Sequence, residues 1–367
     1  MPKYIICQII LYGFCLSWLN LYGQERPGTI EITTRDTTLD YPKADSKESF
    51  VRFVFYNVEN LFHPSDDSIK VDEAFTPEGA YYWTYKRYYT KINNLGKLFV
   101  AIGEGRMPAV IGLCEIENHK VLEDIMKKSV MRNFSYKAIH KESPDIRGID
   151  VGLLYDPSQF KPLKYEHFNI SDPEFPDLKT REILYVSGKL YESVQCHIFV
   201  NHWPSRRGGQ IASEPKRIIA AKKLKQVVDS LVCNDPYANI IIMGDFNDEP
   251  ENRSLKEILY AGDPENINDS YGLFNLMYPL YKRGYGTHFR VNNINEPSVL
   301  DQIIVSSSML CEENKIRSED QKGHIYQKEF LMDKKNGRPL RTYQGLKYLG
   351  GFSDHLPIYA DFQIVIK

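Results

Sequence analysis

A chain of 367 residues, 42% hydrophobic and 26% charged, has the composition of a soluble globular protein, with length enough for one large domain or two small ones. Its formal net charge of -2 gives no general pull toward polyanions, so a nucleic acid or other phosphate-bearing partner would have to be held by a local site or through bound cations. Cysteine is too sparse for a disulfide scaffold.

The first stretch, Met1 to Gly23, carries Lys3, a mainly apolar run from Tyr4 to Leu21, and the small Gly23 before polar Gln24, the pattern of a cleaved secretory signal peptide. Gln8, Ser17 and Asn20 interrupt the run, which is short for a membrane span. A secreted or periplasmic protein is expected, with Cys114, Cys196, Cys233 and Cys311 left in the mature chain. Cys114 and Cys196 lie in apolar runs and read as small buried residues, and no zinc-type Cys or His spacing is present. Residues 24–50 are polar and aperiodic, a linker, so one domain is expected over 51–367.

From Val51 the segment VRFVFYNVENLF alternates as a strand and ends in Asn57, Glu59 and Asn60. His63 to Trp83, with its acids, prolines and aromatic cluster, reads as a long surface loop. Tyr88, Ile92, Leu95, Phe99 and Ile102 then share one helical face, with Gly103 as terminator. The strand Ala109 to Cys114 delivers Glu115 at its end, and a short helix is expected from His119 to Lys128. Strand-like runs follow near Tyr136, Val151–Tyr155, Lys164–Phe168, Ile183–Leu190 and Cys196–Val200, the last leading into His202.

Ser213 as N-cap and Pro215 at an early position predict a helix whose Lys216, Arg217, Lys222, Lys223 and Lys225 form a solvated face. It feeds the strand Asn239 to Gly244, which ends abruptly in Asp245, Asn247, Asp248 and Glu249. Residues 255–260 read as helical, and Asp301 opens another strand. In the polar stretch 312–350, Asn336-Gly337 marks a hairpin turn. Asp354 and His355 precede a final alternating strand.

Asn57, Glu115, His202, Asp245 with Asn247, Asp301, and Asp354 with His355 thus all fall at strand edges. If they converge, like charges at ~4 Å cost from about 1 kcal/mol in water to several times that when partly buried, and a divalent cation is the natural resolution. Oxygen ligands suit Mg²⁺, Mn²⁺ or Ca²⁺ rather than zinc, and histidines beside carboxylates suit proton transfer at a phosphoryl centre. Glu59, Glu117 and Asp248 read as turn caps or residues of the opposite strand face. Thr287 and His288 read as structural, and His63, His140 and His324 as surface residues.

From Val51 onward the chain resembles the endonuclease/exonuclease/phosphatase superfamily, the group of deoxyribonuclease I, apurinic endonucleases, bacterial sphingomyelinases and inositol polyphosphate 5-phosphatases, and looks like a secreted bacterial member. The motifs are FYNVENL at Asn57, LCEIEN at Glu115, VNHWPS at His202, GDFND at Asp245, LDQIIV at Asp301 and SDHLPI at Asp354. The resemblance implies an α/β (α+β) fold, a four-layer sandwich of two mainly antiparallel sheets with helices outside. It further implies Glu115 as principal metal ligand with Asn57 and Asp354 beside it, and Asp245 with Asn247 orienting water and phosphate. His355, steadied by Asp301, and His202 would be the catalytic histidines, and Arg181 and Arg147 phosphate contacts.

The implied reaction is metal-dependent phosphoester hydrolysis, first as a secreted nuclease, with Arg206 and Arg207 placed to hold a neighbouring phosphate. The alternative is a phosphatase or phosphodiesterase of phospholipid head groups or small phosphate esters. No apolar hairpin for membrane insertion is evident, and a monomer without a stable protein partner is expected.

Overall fold

The computed structural model describes residues 48–67, 69–267, 272–290 and 293–365. The expected signal peptide (1–23) and most of the linker (24–50) lie outside the described residues. In chain order the strands are β1 (Glu48–Leu61), β2 (Val110–Ile116), β3 (Lys137–His140), β4 (Asp150–Tyr155), β5 (Phe160–Phe168), β6 (Ile183–Leu190), β7 (Val194–His202), β8 (Ile240–Asp245) and β9 (Ala261–Gly262). They continue as β10 (Leu273–Asn275), β11 (His288–Arg290), β12 (Asn293–Ser298), β13 (Asp301–Ser306), β14 (Ile316–Ser318), β15 (His324–Ile325), β16 (Tyr343–Gln344), β17 (Lys347–Tyr348) and β18 (Ile358–Val365). The α-helices are α1 (Tyr85–Ile102), α2 (His119–Lys128), α3 (Gln210–Asn234) and α4 (Tyr278–Lys282).

Two large sheets carry the fold. The first runs β14-β18-β1-β2-β4-β3, with β15 also on β18, and the second β5-β6-β7-β8-β13-β10-β9. Near the middle of each lies a parallel pair, β1 with β2 and β7 with β8, flanked by antiparallel strands. Period-two alternation explains the layers. Phe53 and Phe55 of β1, with Ile241 and Met243 of β8, fill the core between the sheets. The alternate residues Val54 and Tyr56 pack under Tyr88, Ile92, Leu95 and Phe99 of α1, while Ile240 and Ile242 pack under Ala221, Leu224 and Val228 of α3. The order is helix, sheet, sheet, helix. Each such fully buried side chain contributes roughly 1.5–3 kcal/mol, so Phe55→Ala should cost about 3–5 kcal/mol.

Local signals behave mostly as the sequence predicts. Thr84 caps α1, its side chain accepting from Arg87 N, and Gly103 follows the last turn. Gly244 is required by the β7–β8 approach, because a Cβ there would lie 2.6 Å from the Asn201 carbonyl oxygen. The first strand begins at Glu48 rather than Val51, because antiparallel pairing with β18 extends back to Glu48 opposite Val365.

Three expectations are corrected. Ser213 is not the cap of α3: the helix starts at Gln210 after Gly209, Pro215 lies inside it, and Ser213 Oγ donates to the Gly209 carbonyl at 2.6 Å. Arg217 is not on a solvated face but fully buried, its Nε 2.7 Å from Asp248 Oδ2 and its Nη1 donating to Ser213 Oγ, partners that offset its desolvation. His140 is not a surface residue, since its side chain is 3% exposed and its Nε2 lies 3.0 Å from Asp150 Oδ2. Asn336-Gly337 does sit in a turn, Gly337 N donating to the Asp333 carbonyl, but its flanks make only the Met332–Pro339 bridge. The regular hairpin of this stretch is β16–β17, turning at Gly345 with φ +56°.

Candidate active site

The alternation that fills the inter-sheet core also builds the site, because at one rim its apolar series gives way to polar residues. Val200 and Ile198 on β7, Met243 and Ile241 on β8, and Ile303 and Val305 on β13 all face the other sheet. One step further along the same faces come His202, Asp245 and Asp301. The register sets them abreast, with His202 and Asp301 both opposite Asp245. Asn57 continues the Phe53–Phe55 face of β1, and its Nδ2 donates across the sheets to Asp245 Oδ2 at 3.0 Å and to Glu115 Oε1 at 3.2 Å.

Glu115 would point away from this face if β2 were regular. The register instead shifts between Cys114 and Ile116, and Glu115 has φ +60°. Such a bulge re-aims one side chain. A second irregularity between Asn57 and Leu61 puts Glu59 and Asn60 at φ +51° and +49°, and Asn247 stands at +51°. Left-handed non-glycine residues therefore gather at the rim, which fits strain held by the surrounding structure at a functional site. The bent β1 lets Asn60 N donate to Glu115 Oε2 at 2.8 Å and Glu59 N to Asn57 Oδ1 at 2.9 Å.

The electrostatics separate the two histidines. His355 Nδ1 donates to Asp301 Oδ2 at 2.7 Å, and its Nε2 lies 3.9 Å from Asp245 Oδ2. Burial opposes its charge, but Asp301, Asp245 and Asp354 together hold the imidazole well above its usual range, which favours its protonated form. His202 is equally buried, its Nε2 3.7 Å from Asp245 and 3.9 Å from Glu115. Burial, helped by Arg181, Arg147 and His355, keeps it well below the usual range and neutral. Burial, reinforced by Asp301, also pushes the Asp245 carboxyl up against the pull of His355.

A metal fits this donor set. Asp245 and Asp301 are about as enclosed as core residues, whereas the Glu115 and Asp354 side chains are 18% and 24% exposed. The Asp301 Oδ1 and His202 Nδ1 atoms are buried without a protein hydrogen-bond partner. Oxygen-rich, partly open carboxylates beside such atoms can hold a hard divalent cation. Burial, reinforced by Asp245 and Glu115, keeps the nearby Cys114 thiol far above its ordinary range.

Of the residues singled out in the sequence, Asn57, Glu115, His202, Asp245, Asp301 and His355 meet directly. Asn247 joins through its backbone N–H, 2.9 Å from Asp245 Oδ1, and its Nδ2 donates to the Trp203 carbonyl. Asp354 stands beside them, bonded to Arg341 at 2.9 Å. Arg181 and Arg147 form an outer pair, both on Asp145, with Arg181 also donating to the Trp203 carbonyl at 2.6 Å. Arg206 donates to the Asn247 carbonyl and to Asn252, which fastens the loop after β8 and leaves little for the neighbouring phosphate expected from the sequence.

The sequence reading missed a basic counterweight. Glu59 is no simple turn cap: it accepts from Arg341 Nε at 3.0 Å and from Thr342 N at 2.7 Å. Lys91 of α1, fully buried, donates to the Glu59 carbonyl and to Thr342 Oγ1. Burial pulls this ammonium down to about 8, against the opposing influence of Glu59, Glu115 and Asp354. Lys91 could have been noticed as the one charge on the apolar face of α1. Arg341 lies in an aperiodic stretch and gave no signal. His288, set aside as structural, lies against His355, with ring centroids 4.8 Å apart and planes tilted by 45°.

A metal-capable cluster at the rim of a four-layer sandwich defines a class, the deoxyribonuclease I-like phosphoester hydrolases. The chain belongs to the endonuclease/exonuclease/phosphatase family, whose sequence model matches residues 52–364. It is accordingly a hydrolase of phosphoester bonds. Solved structures share the fold. An endonuclease/exonuclease/phosphatase family protein of Bacteroides thetaiotaomicron is 14% identical with TM-score 0.54, covering 86% of this chain and 96% of its own. A mannosyl-6-phosphatase of the same species is 16% identical with TM-score 0.54, covering 85% and 99%. TDP2 of D. rerio, complexed with a single-strand DNA product, is 16% identical with TM-score 0.51, covering 86% and 99%. No curated protein matches the chain in sequence.

Proposed function

We propose that the chain is an exported, Mg²⁺-dependent phosphoesterase whose first substrate class is the phosphodiester bond of nucleic acid, with Mn²⁺ or Ca²⁺ serving the same donors. The observation that carries this reading is the meeting of Asn57, Glu115, His202, Asp245, Asp301 and His355 at one rim. Glu115 and Asp354 would hold the cation, which supplies neutralisation of charge on the phosphate oxygens; Asn57, expected beside them, would join only by turning its Oδ1 from Glu59 N toward the cluster, where its Nδ2 now donates. Asp245, its Oδ2 fixed by Asn57 and its Oδ1 by Asn247 N, has the rigidity to orient an attacking water. Cationic His355, pinned by Asp301, stabilises negative charge as it develops, and neutral His202 contacts the scissile phosphate through Nε2. Two like groups driven to opposite protonation states is how one site divides acid from base work. Arg181 and Arg147 act from behind His202. Arg147, 44% exposed, can swing from Asp145 to a phosphate, whereas Arg181 is enclosed.

A second reading, hydrolysis of small phosphate esters, is favoured by the engagement of Arg206 within its own loop. Fold neighbours include counterparts of both. Purified protein assayed on plasmid DNA and on a panel of phosphate monoesters, with each metal and with chelator, decides between them. Nicking abolished by chelator and by Asp245→Asn is the expected result. Intact plasmid beside a hydrolysed sugar or lipid phosphate overturns the nuclease reading, and turnover that persists in chelator overturns the metal. Export is tested separately, by whether the mature N-terminus begins near Gln24.

A further inference from the structure

Next to the carboxylate cluster lies a cavity of about 140 Å³, lined by Glu59, Asn60, Phe75, Tyr81, Arg341 and Tyr343 among others. Two of these residues touch the cluster: Asn60 N bonds Glu115 Oε2, and Arg341 Nη2 bonds Asp354 Oδ2. The cavity is therefore one residue removed from the carboxylates that face solvent. Its walls differ in kind. Its aromatic lining is Phe75, Tyr81 and Tyr343: Phe75 and Tyr81 stack with centroids 4.6 Å apart, Tyr343 meets Tyr81 edge-on at 4.9 Å, and buried Phe62 backs Phe75 at 4.4 Å. Its polar lining is Glu59, Asn60, Arg341 and Thr342.

The walls are built, not incidental. The Tyr343 hydroxyl donates to the Tyr81 carbonyl at 2.9 Å, joining the β16–β17 hairpin to the loop before α1. Arg87 donates to the carbonyls of Tyr81 and Tyr82 and lies over the Tyr348 ring. The polar wall contains the consecutive left-handed residues Glu59 and Asn60. A volume of this size holds on the order of ten water positions, the scale of one monosaccharide and far short of a duplex.

We propose that this cavity receives the sugar ring attached to the scissile phosphate, its C–H face against Tyr81 and Tyr343 and its hydroxyls toward Asn60 and Arg341. An aromatic wall facing a polar one is the arrangement an amphipathic ring requires, since burial of its apolar face is favourable only when its hydroxyls keep partners. The inference rests on the phosphoesterase reading and refines it. The ring is that of a hexose phosphate or the pentose of a nucleotide.

The test compares a hexose 6-phosphate, a nucleoside 5′-monophosphate, a short oligodeoxynucleotide and ringless glycerol 3-phosphate as substrates of wild type, Tyr81→Ala and Tyr81→Phe. Tyr81→Ala should raise KM for ring-bearing substrates relative to glycerol 3-phosphate by about tenfold with kcat little changed, and Tyr81→Phe should restore the ratio. Equal loss on ringed and ringless substrates overturns the proposal. Calorimetric titration of metal-loaded wild-type protein with phosphate-free methyl hexoside and with nucleoside avoids dependence on folding of the variant. Binding of one identifies the source of the ring, and binding of neither overturns the pocket. If no phosphoester is hydrolysed while the sugar binds, the parent reading fails and the cavity assignment stands.

Discussion

The rim of the sandwich has two halves built on different principles. One comprises His202, Asp245, Asp301 and His355, three of them abreast on paired strands and all nearly sealed from solvent. The other comprises Glu59, Asn60, Tyr81, Arg341 and Tyr343, carried by a bulge, a loop and a small hairpin around an open cavity. The strand-borne half gains geometry from register, where a shift of one residue would turn the side chains to the opposite face. The loop-borne half gains its geometry from side-chain bonds such as Arg341 to Glu59 and Tyr343 to Tyr81. Under the proposed function, chemistry belongs to the strand-borne half and choice of substrate to the loop-borne one.

Substitution can break this division. The largest effect is expected for Asp245→Asn, a fall in kcat of roughly 10³- to 10⁴-fold. A rate within tenfold of wild type would place the chemistry elsewhere. Asp301→Ala follows, with a loss of about 10²-fold in kcat at nearly unchanged KM, read by steady-state kinetics, since it frees His355 to turn. Arg341→Ala should act chiefly on KM, by about ten- to thirtyfold, and a purely kcat effect would erase the distinction between the halves. Arg207→Ala, at an exposed position, should change affinity for DNA by less than about threefold and only at low salt, measured by titration at two ionic strengths.

The same division explains what could be read in the sequence. Strand ends announce themselves: the apolar alternation of Phe53 and Phe55 or of Ile241 and Met243 stops, and the next residue in phase is Asn57 or Asp245. Those positions, with His202 and Asp301, were legible for that reason, His355 as a polar residue just ahead of the final strand, and α1 and α2 from their caps and periodicity. Glu115 was legible as the acid that ends its strand, but simple alternation would have turned it away from the site, and the bulge that aims it is not encoded in period. Arg341 was illegible because its partners, Glu59 and Asp354, are distant in sequence on one side and separated by a turn on the other. Arg217 was misread because helical charge pattern is local information, while its burial depends on Asp248 from a strand end. Arg206 illustrates the reverse, a basic residue beside a catalytic motif whose partners are structural.

The pairing of β1 with β18 has a temporal consequence. The strand that carries Asn57 finds one neighbour early, in β2, but the other only in β18, and the Arg52–Asp361 bond that locks β1 to β18 spans 309 residues of chain. Asp354 and His355 lie immediately ahead of that closing strand. During synthesis, then, every motif up to Asp301 can emerge from the ribosome while one edge of the opening strand is still unpaired and the rim lacks His355. A nascent chain of this hydrolase should be silent toward phosphoesters until its last strand is released, and clipping that strand afterwards should return the enzyme to silence.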